Sequence, residues 1–458
     1  MLPCFTKMHR QPAVVIMPVI KSHLKAWVKS QTQLIQHWVH ETTFKAESGE
    51  LCLIRDQHGQ LKKVLIGLEN DQDFWSFGKL PLLLPEGVYC LEDTGSVSMI
   101  SLCCLAWGLG SYQFTVYKKA KRKAAKLLLP AGCDEAFVNH VASSIHWVRD
   151  LINTPANDMT PTRLAEEAKQ LAVTHQAVFH EIVGEELLAQ NYPAIYMVGK
   201  GSVEQPRLVE LRWGDEKYPK VTLVGKGVCF DSGGLDLKSS PNMLLMKKDM
   251  AGAAHVLGLS KMIMTAQLKI HLRVLIPIVE NMLSGEAYRP GDVIRMRDGQ
   301  TVEVTSTDAE GRLILADALT EAVIDKPDLL IDFASLTGAA RDAFGAEMTP
   351  FFSNQDELAQ ALLKIGKAID DPAWLMPLHR PYLDFLKSKV ADWMNVGGRQ
   401  GGAITAALFL ELFIKPVVPW IHFDMIGFNL RSRPGRPEGG EAMGLRLVFE
   451  YLKERFGA

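Results

Sequence analysis

The chain has 458 residues, more than one ordinary hydrophobic core accommodates, which predicts at least two domains. Its 47% hydrophobic and 22% charged residues are typical of a soluble globular protein, and a net charge of −2 gives no overall field for nucleic acid or acidic membranes. No apolar stretch approaches the ~20 residues of a membrane span, and no signal peptide is evident. Seven cysteines without a CxxC pair favour a reduced, cytoplasmic protein.

The first part of the chain mixes short apolar runs with segments of helical spacing. AVVIMPVI predicts a buried strand, and LCLIRD and KKVLIGLE predict strands on either side of the turn DQHGQ. LKAWVKSQTQLIQHWV has helical spacing, and MISLCCLAWGLG is a further apolar element. This mixture predicts a smaller N-terminal α/β domain over residues 1–133.

The basic segment YKKAKRKAAK, residues 117–126, is the only feature that favours nucleic-acid binding. It is short, lacks interleaved aromatic residues, and has the alanine spacing of a solvated surface. We keep a DNA-binding regulatory or architectural protein as the alternative to an enzyme. A salt-dependent shift of duplex DNA would support that alternative.

A helical pattern, FVNHVASSIHWVRDLI, is followed by the proline-containing loop NTPANDMTP, which predicts a linker helix and loop over residues 134–162. Strands and helices alternate over residues 163–458. Strands are predicted at VTLVGKGVCF, LRVLIPIVENM, DLLIDFASLTG and VPWIHFDMIGF, and helices at AAHVLGLSKMIMT and LILADALTEAVI. Because these strands are apolar on both faces, we expect a larger domain with a mixed, mostly parallel central sheet covered by helices.

Charged side chains follow the predicted strands of this larger domain, where ligands of such sheets bind. The residues that share this placement are Lys226, Asp231, Lys238, Asp249, Asp308, Glu310 and Arg312. Burying four carboxylates without partners would be very costly, and a pair of divalent ions is an economical counter-charge. The glycines around these residues allow the backbone to approach a ligand closely.

Each of these residues also has an ordinary structural interpretation. In TSTDAEGRL, residues 305–313, Thr307 and Glu310 fit a capping box at the start of a helix. Asp231 or Asp249 could cap a helix, and the lysines could be solvated. Other chemistries have weaker signals, since the sequence lacks HExxH, a P-loop, GxSxG and a GxGxxG after a strand.

The segments GKGVCFDSGGLDLK, KKDMAGAA and TDAEGRL, in this order, closely resemble the leucyl aminopeptidase (cytosol aminopeptidase) family of two-metal exopeptidases. SLTGA, ADWMNVGGRQGGAITAALFL and WIHFDMIG are similar to later segments of that family. The resemblance extends from about Val148 to the C-terminus, and the N-terminal domain matches more loosely.

The resemblance implies two divalent metal ions that share bridging carboxylates and activate one water. The first ion would be bound by Lys226, Asp231, Asp249 and Glu310. The second would be bound by Asp231, Glu310 and both the carboxylate and the main-chain carbonyl of Asp308. These ligands favour Mn or Zn, with Mg or Co as further candidates.

The resemblance also implies the catalytic residues and the substrate pocket. Lys238 would polarise the scissile carbonyl, and Arg312 would hold a bicarbonate ion that carries the proton. The substrate-binding residues would be Met246, Ser306, Ser335, Thr337 and Gly338. The family usually has asparagine at the position of Ser306, so this chain departs from the pattern beside intact metal ligands.

The sequence therefore predicts a cytoplasmic metalloaminopeptidase, a homohexamer without a membrane partner, that releases N-terminal, preferably leucine-like, residues from peptides with a free N-terminus. A structural protein with a relict site is the third possibility, and the complete set of charged residues argues against it. On this prediction TSTDAEGRL is both a helix start capped by Thr307 and part of an active site.

Overall fold

The computed structural model describes residues 1–8, 12–92, 97–415 and 417–457. The chain forms two compact units, one comprising Met1–His146 and Arg431–Glu438, the other Trp147–Leu430 and Gly439–Ala458. No helix among the described residues is long and apolar enough to cross a membrane.

The first unit is built on a six-stranded sheet. Its strands are β1 (Phe5–Thr6), β2 (Val14–Ile20), β3 (Leu51–Arg55), β4 (Leu61–Leu68), β5 (Val88–Leu91) and β6 (Lys126–Leu128). Their order is β1-β6-β5-β2-β4-β3, and the pairs are parallel except for the antiparallel β3–β4 hairpin. The helices are α1 (Leu24–Lys29), α2 (Gln33–Glu41), α3 (Leu80–Leu83), α4 (Val97–Gly110) and α5 (Glu135–Asn153), which contains the division at His146.

The segment LKAWVKSQTQLIQHWV, which has helical spacing, forms two helices, α1 and α2. The Ser30 hydroxyl donates a hydrogen bond to the Trp27 carbonyl at 2.7 Å, and Thr32 has an extended backbone with φ −62° and ψ 155°. Serine and threonine compete with helical hydrogen bonds in this way, so they interrupt a segment whose apolar spacing is continuous. The predicted hairpin around DQHGQ is confirmed.

The second unit contains a nine-stranded sheet and two small sheets. The strands of the large sheet are β7 (Val178–Val183), β8 (Arg207–Trp213), β9 (Lys220–Gly225), β10 (Gly227–Asp231), β11 (His271–Asn281), β14 (Leu329–Ala334), β15 (Thr349–Ser353), β16 (Ala373–Leu375) and β18 (Trp420–Asp424). The small sheets comprise β12 (Val293–Arg295), β13 (Thr301–Glu303) and β17 (Trp393–Met394), and β19 (Phe428–Asn429) and β20 (Gly439–Gly440).

The large sheet has the order β16-β15-β18-β14-β9-β11-β8-β7, and β10 also pairs with β11. Pairs β15–β18, β11–β8 and β7–β8 are antiparallel, and the other pairs are parallel. The helices of this unit are α6 (Pro161–His175), α7 (Glu186–Ala189), α8 (Pro193–Gly199), α9 (Ser240–Met243), α10 (Ala251–Thr265), α11 (Glu310–Ala322), α12 (Gly338–Phe344), α13 (Asp356–Ala368), α14 (Gly402–Glu411) and α15 (Leu445–Phe456). The predicted mixed, mostly parallel sheet covered by helices is confirmed.

Helices α10 and α11 cover opposite faces of the central strand β9. Val224 belongs to the same buried cluster as Leu313 of α11. A Cβ added to the next residue, Gly225, would lie 2.6 Å from Val256 of α10. Since successive strand residues point to opposite faces, the two helices bury both faces, and Gly225 allows α10 to approach closely.

A buried ion pair joins α5 to the segment after β20 within the second unit. Arg149 donates to Glu441 from Nη2 to Oε2 at 3.0 Å and from Nε to Oε1 at 3.2 Å, and Asn429 donates to the same carboxylate at 2.7 Å. The Arg149 and Glu441 side chains are 1% and 6% exposed. The carboxylate is therefore the counter-charge of a guanidinium that water barely reaches.

Glu441→Ala is expected to lower the free energy of unfolding by about 3–5 kcal/mol, because it removes the buried carboxylate that neutralises the Arg149 guanidinium. Urea denaturation followed by tryptophan fluorescence measures this loss. As a control, Glu450→Ala removes only a partly exposed pair with Lys453 and should cost less than about 1 kcal/mol. Equal effects of the two substitutions would contradict the expectation.

Candidate metal centre

The strand predicted over VTLVGKGVCF is interrupted at Lys226, so the prediction of a single strand is wrong. The Lys226 amide donates to the Phe333 carbonyl of β14 at 3.0 Å, and its own carbonyl accepts from the Ala253 amide of α10 at 2.9 Å. These bonds replace the pairing with β11 that the flanking strands β9 and β10 make. The interruption fixes the backbone of Lys226 where three elements meet.

The Lys226 side chain is buried among carboxylates. Its Nζ lies 2.8 Å from Asp249 Oδ2 and 3.0 Å from Glu310 Oε1, and it donates to the Ser335 carbonyl at 3.0 Å. Burial alone would lower the pKa of Lys226, but the surrounding carboxylates raise it above its ordinary value. A Cβ at Gly311 would lie 2.5 Å from the lysine Cε, so glycine after Glu310 leaves room for this side chain.

Asp231 and Asp249 are positioned by two different elements. Asp231 ends β10, and its Oδ1 accepts hydrogen bonds from the Gly233 amide and from Asn281 Nδ2, both at 2.8 Å. Asp249 lies in the turn before α10, and its Oδ1 accepts from the Ser335 hydroxyl at 2.8 Å. These donors fix one oxygen of each carboxylate and leave the other oxygen facing the lysines.

Asp308 and Glu310 bring further negative charge to the start of α11. Oxygen atoms of Asp231, Asp308 and Glu310 lie within 4.8 Å of one another. Burial and then the Asp231 carboxylate raise the pKa of Glu310 to about 8 and that of Asp308 to about 6. In the metal-free protein these two carboxyl groups therefore bind protons more readily than exposed ones do.

The donor set fits divalent metal ions. Asp249 Oδ2 is buried and accepts no hydrogen bond from the described residues, although Lys226 Nζ lies 2.8 Å away. Carboxylate oxygens suit hard and borderline divalent ions, and such an ion would offset both the burial and the Asp231 charge that raise the pKa of Glu310. Asp231, Asp308 and Glu310 can bind one ion together. Lys226, which contacts Glu310, and Asp249, which contacts Lys226, are further candidate ligands.

Lys238 contacts the carboxylates from the loop that follows β10. Its Nζ lies 2.7 Å from Asp231 Oδ2 and is also in contact with Asp308 Oδ1. Its side chain is 12% exposed, so the ammonium borders the cavity instead of being fully enclosed. The loop backbone is held by the Lys238 amide, which donates to the Ser232 carbonyl at 2.9 Å.

The predicted capping role of Thr307 is wrong. Helix α11 has Ala309 as its N-cap residue, without a side-chain hydrogen bond. The Thr307 hydroxyl instead donates to the Gly233 carbonyl at 2.6 Å and accepts from the Asp236 amide at 2.9 Å. Thr307 therefore bonds to residues that are distant in sequence instead of capping α11, and it fixes the glycine-rich loop that carries Lys238.

Arg312 lies at the same cavity with unused donor capacity. Its Nη1 donates to the Asn395 carbonyl at 2.6 Å, and its Nε is buried without a hydrogen-bond partner among the described residues. Burial lowers the pKa of Arg312 to about 10, although Asp424 and Glu310 oppose the shift. The guanidinium can therefore still donate to an anion bound in the cavity.

Asn281, Tyr288 and Asn395 organise the site, although the sequence analysis did not identify them. Asn281 Nδ2 and the Tyr288 hydroxyl both donate to the Thr307 carbonyl, at 3.0 and 2.5 Å. Asn395 donates to the Ser306 carbonyl at 2.6 Å. The position of Asn281 at the end of the apolar strand LRVLIPIVEN could have indicated a site residue. The sequence contains no comparable indication for Tyr288 or Asn395.

The predicted catalytic, metal-binding and substrate-binding residues line one cavity of about 590 Å³. Met246, Ser306, Ser335, Thr337 and Gly338 are among the lining residues. The cavity also contains side chains that were not predicted. They include Asp236, Asn242, Lys248, Arg341, Met425 and Ile426.

Comparison with known proteins identifies the family. The model described as the cytosol aminopeptidase family, catalytic domain, matches residues 146–449, and that of the M17 aminopeptidase, N-terminal domain, matches residues 14–130. A probable cytosol aminopeptidase of Roseiflexus castenholzii is 41% identical over 364 residues, covering 76% of this chain and 74% of that protein. The chain belongs to the cytosol aminopeptidase family.

Solved structures agree with this assignment. The cytosol aminopeptidase from Coxiella burnetii superposes with a TM-score of 0.96 at 48% identity, covering 99% of this chain and 100% of that one. The bottromycin maturation enzyme BotP in complex with Mn has a TM-score of 0.87 at 30% identity, covering 96% and 99%. This protein is therefore an enzyme of the leucyl aminopeptidase type, a hydrolase acting on peptide bonds. Its family and the Mn complex of BotP support divalent metal ions as cofactors.

Proposed function

We propose that this protein is a two-metal aminopeptidase that removes single residues from the free N-terminus of peptides. The observation that carries the proposal is the convergence of three carboxylates, Asp231, Asp308 and Glu310, within 4.8 Å at the wall of one cavity. A lysine and a fourth carboxylate, Lys226 and Asp249, adjoin them. This arrangement supports the proposal of two adjacent metal positions with shared ligands.

We assign the ligands as the family resemblance implies. Lys226, Asp231, Asp249 and Glu310 would hold one ion. Asp231, Asp308 and Glu310 would hold the other, so that the ions would share Asp231 and Glu310. When bound, two divalent ions would polarise the scissile carbonyl and lower the pKa of the attacking water. Mn or Zn suits this donor set, and Mg or Co is a further candidate.

The protein's own residues supply the remaining chemistry. In the proposed reaction Lys238 Nζ donates to the oxygen of the scissile carbonyl as negative charge develops there. Arg312, whose Nε has no hydrogen-bond partner among the described residues, would hold a bicarbonate ion, and that ion would supply a base for the proton of the attacking water and an acid for the leaving amine. No protein carboxylate then has to act as the general base.

The substrate range and the assembly remain predictions. Met246, Ser306, Ser335, Thr337 and Gly338 line the cavity that would take the N-terminal residue. The resemblance predicts a leucine-like preference, a cytoplasmic location and a homohexamer, and sedimentation would test the hexamer. DNA binding has only the basic segment 117–126 in its favour, so we do not adopt it.

The proposal is tested by stripping the enzyme with a chelator and reloading it with Mn, Zn, Co or Mg. Fluorogenic leucine and methionine amides report activity, and their N-acetylated forms are the matched controls. We expect turnover to disappear on chelation, to return with at least one ion, and to be absent for the acetylated substrates. Metal-independent turnover, or equal turnover of blocked and free substrates, would contradict the proposal.

A further inference from the structure

Lys248 places an ammonium group in the wall of the substrate cavity without a hydrogen-bond acceptor. The residue is 8% exposed and lines the cavity. Its Nζ lies 3.8 Å from Asp249 Oδ1, beyond hydrogen-bond distance, and among the described residues no atom accepts a hydrogen bond from it. The neighbouring Lys247 differs, because its Nζ donates to the Asn153 carbonyl at 2.6 Å.

Asp249 does not explain the burial of Lys248, because its carboxylate is already engaged. Its Oδ2 lies 2.8 Å from Lys226 Nζ, and its Oδ1 accepts from the Ser335 hydroxyl at 2.8 Å. In the proposed function Asp249 also binds a metal ion. An ammonium group has three donors and no acceptor, so burying it unpaired is costly unless another molecule supplies the acceptor.

The other lining residues near Lys248 indicate what that molecule carries. Arg341 lines the same cavity and is paired with Asp342, with 3.5 Å between Nε and Oδ1. Met246, Met425 and Ile426 add apolar side chains to the lining. Apolar surface together with an ammonium group that has no hydrogen-bond acceptor among the described residues matches a short aliphatic chain that ends in a carboxylate.

The charge of the whole cavity supports an anionic side chain. Its lining contains equal numbers of acidic and basic side chains before any metal ion binds. The acidic residues are Asp231, Asp236, Asp249, Asp308 and Glu310, and the basic residues are Lys226, Lys238, Lys248, Arg312 and Arg341. Divalent ions at the carboxylates would make the cavity net positive, which favours acidic over basic substrates.

We propose that Lys248 makes this enzyme select peptides whose N-terminal residue is glutamate or aspartate. The inference rests on the proposed aminopeptidase function and replaces the leucine-like preference that the family resemblance predicts. The substrate's methylene groups contact Met246, and its side-chain carboxylate accepts a charge-assisted hydrogen bond from Lys248 Nζ. Arg341 provides a second cation that attracts the carboxylate.

The test compares kcat/KM of the metal-loaded enzyme for glutamate, aspartate, glutamine, leucine and lysine amides. Glutamine is the decisive comparison because it has the shape of glutamate without the charge. We expect glutamate to exceed glutamine by about 10- to 100-fold, since hydrogen bonds to charged groups are stronger than neutral ones. The lysine amide should be the poorest substrate.

Three variants assign the selectivity to Lys248. Lys248→Met should reduce the glutamate-to-glutamine ratio to near one and raise kcat/KM for leucine, because it removes a charge that has no hydrogen-bond acceptor in the pocket. Lys248→Arg should retain a ratio above one. Lys247→Met is the matched control and should leave the ratio unchanged. Metal content and melting temperature are measured for every variant, so that a folding defect is recognised.

Calorimetry gives a readout that does not depend on turnover. Free glutamate should bind the metal-loaded enzyme more tightly than free glutamine, and Lys248→Met should abolish the difference. If leucine amides are hydrolysed while glutamate has no advantage over glutamine, the selectivity inference is wrong and the aminopeptidase function stands. If no amide is hydrolysed with any metal ion, the proposed function fails as well.

Discussion

Glu310→Gln is expected to weaken metal binding by more than about 100-fold and to lower kcat/KM by on the order of 10³-fold or more. The substitution conserves shape, but it removes the negative charge that the proposal assigns to a bridging ligand. Glu310 is 1% exposed and lies 3.0 Å from Lys226 Nζ, so water cannot readily replace it. Metal content after dialysis and steady-state kinetics measure the two effects.

In the metal-free protein, Glu310→Gln is expected to make stability less sensitive to rising pH. Burial and Asp231 raise the pKa of Glu310 to about 8, so the folded chain binds a proton that the unfolded chain has already lost. The contribution of Glu310 to the free energy of unfolding is complete below the ordinary glutamate pKa and disappears as the pH rises through about 8. Metal-free wild type should therefore lose stability over this interval, and Glu310→Gln should lose less.

Glu216→Gln is the matched control, because Glu216 is an exposed carboxylate of the same unit. It should leave metal content, kinetics and the pH dependence of stability unchanged. A Glu310→Gln enzyme that retains full metal content would remove Glu310 from the ligand set. Lost activity with retained metal would give the residue a different role.

The location of the site was predictable from the sequence because strand ends carry the charged residues. Asp231 ends β10, and Asp308 and Glu310 follow β13, so topology brings together residues that are far apart in sequence. The alternation of apolar strands and helices also predicted the mixed sheet, since strands buried on both faces are apolar throughout.

The details that were not predictable depend on tertiary partners. The strand interruption at Lys226 arises from hydrogen bonds to Phe333 and Ala253, which no local pattern encodes. Thr307 fits a capping box in sequence, but its hydroxyl donates to the Gly233 carbonyl. No sequence pattern singled out Lys248, and only the structure places it in the cavity wall.

Lys238→Met should lower kcat by about 10²–10³-fold, the usual loss when one oxyanion donor is removed, with little change in KM. The reason is that Lys238 donates to charge that develops only in the transition state. Its present partners, Asp231 and Asp308, are proposed metal ligands, so removing the ammonium should not reduce metal content.

A lower kcat with little change in KM therefore distinguishes a catalytic role of Lys238 from a structural one. Lys238→Arg keeps the charge but moves the donor, and we expect an intermediate kcat. Lys217→Met, which changes an exposed lysine paired with Asp215, is the control and should behave as wild type. If Lys238→Met instead loses its metal or raises only KM, the ammonium serves to neutralise Asp231 and Asp308, and the developing oxyanion must be stabilised by another group in the cavity.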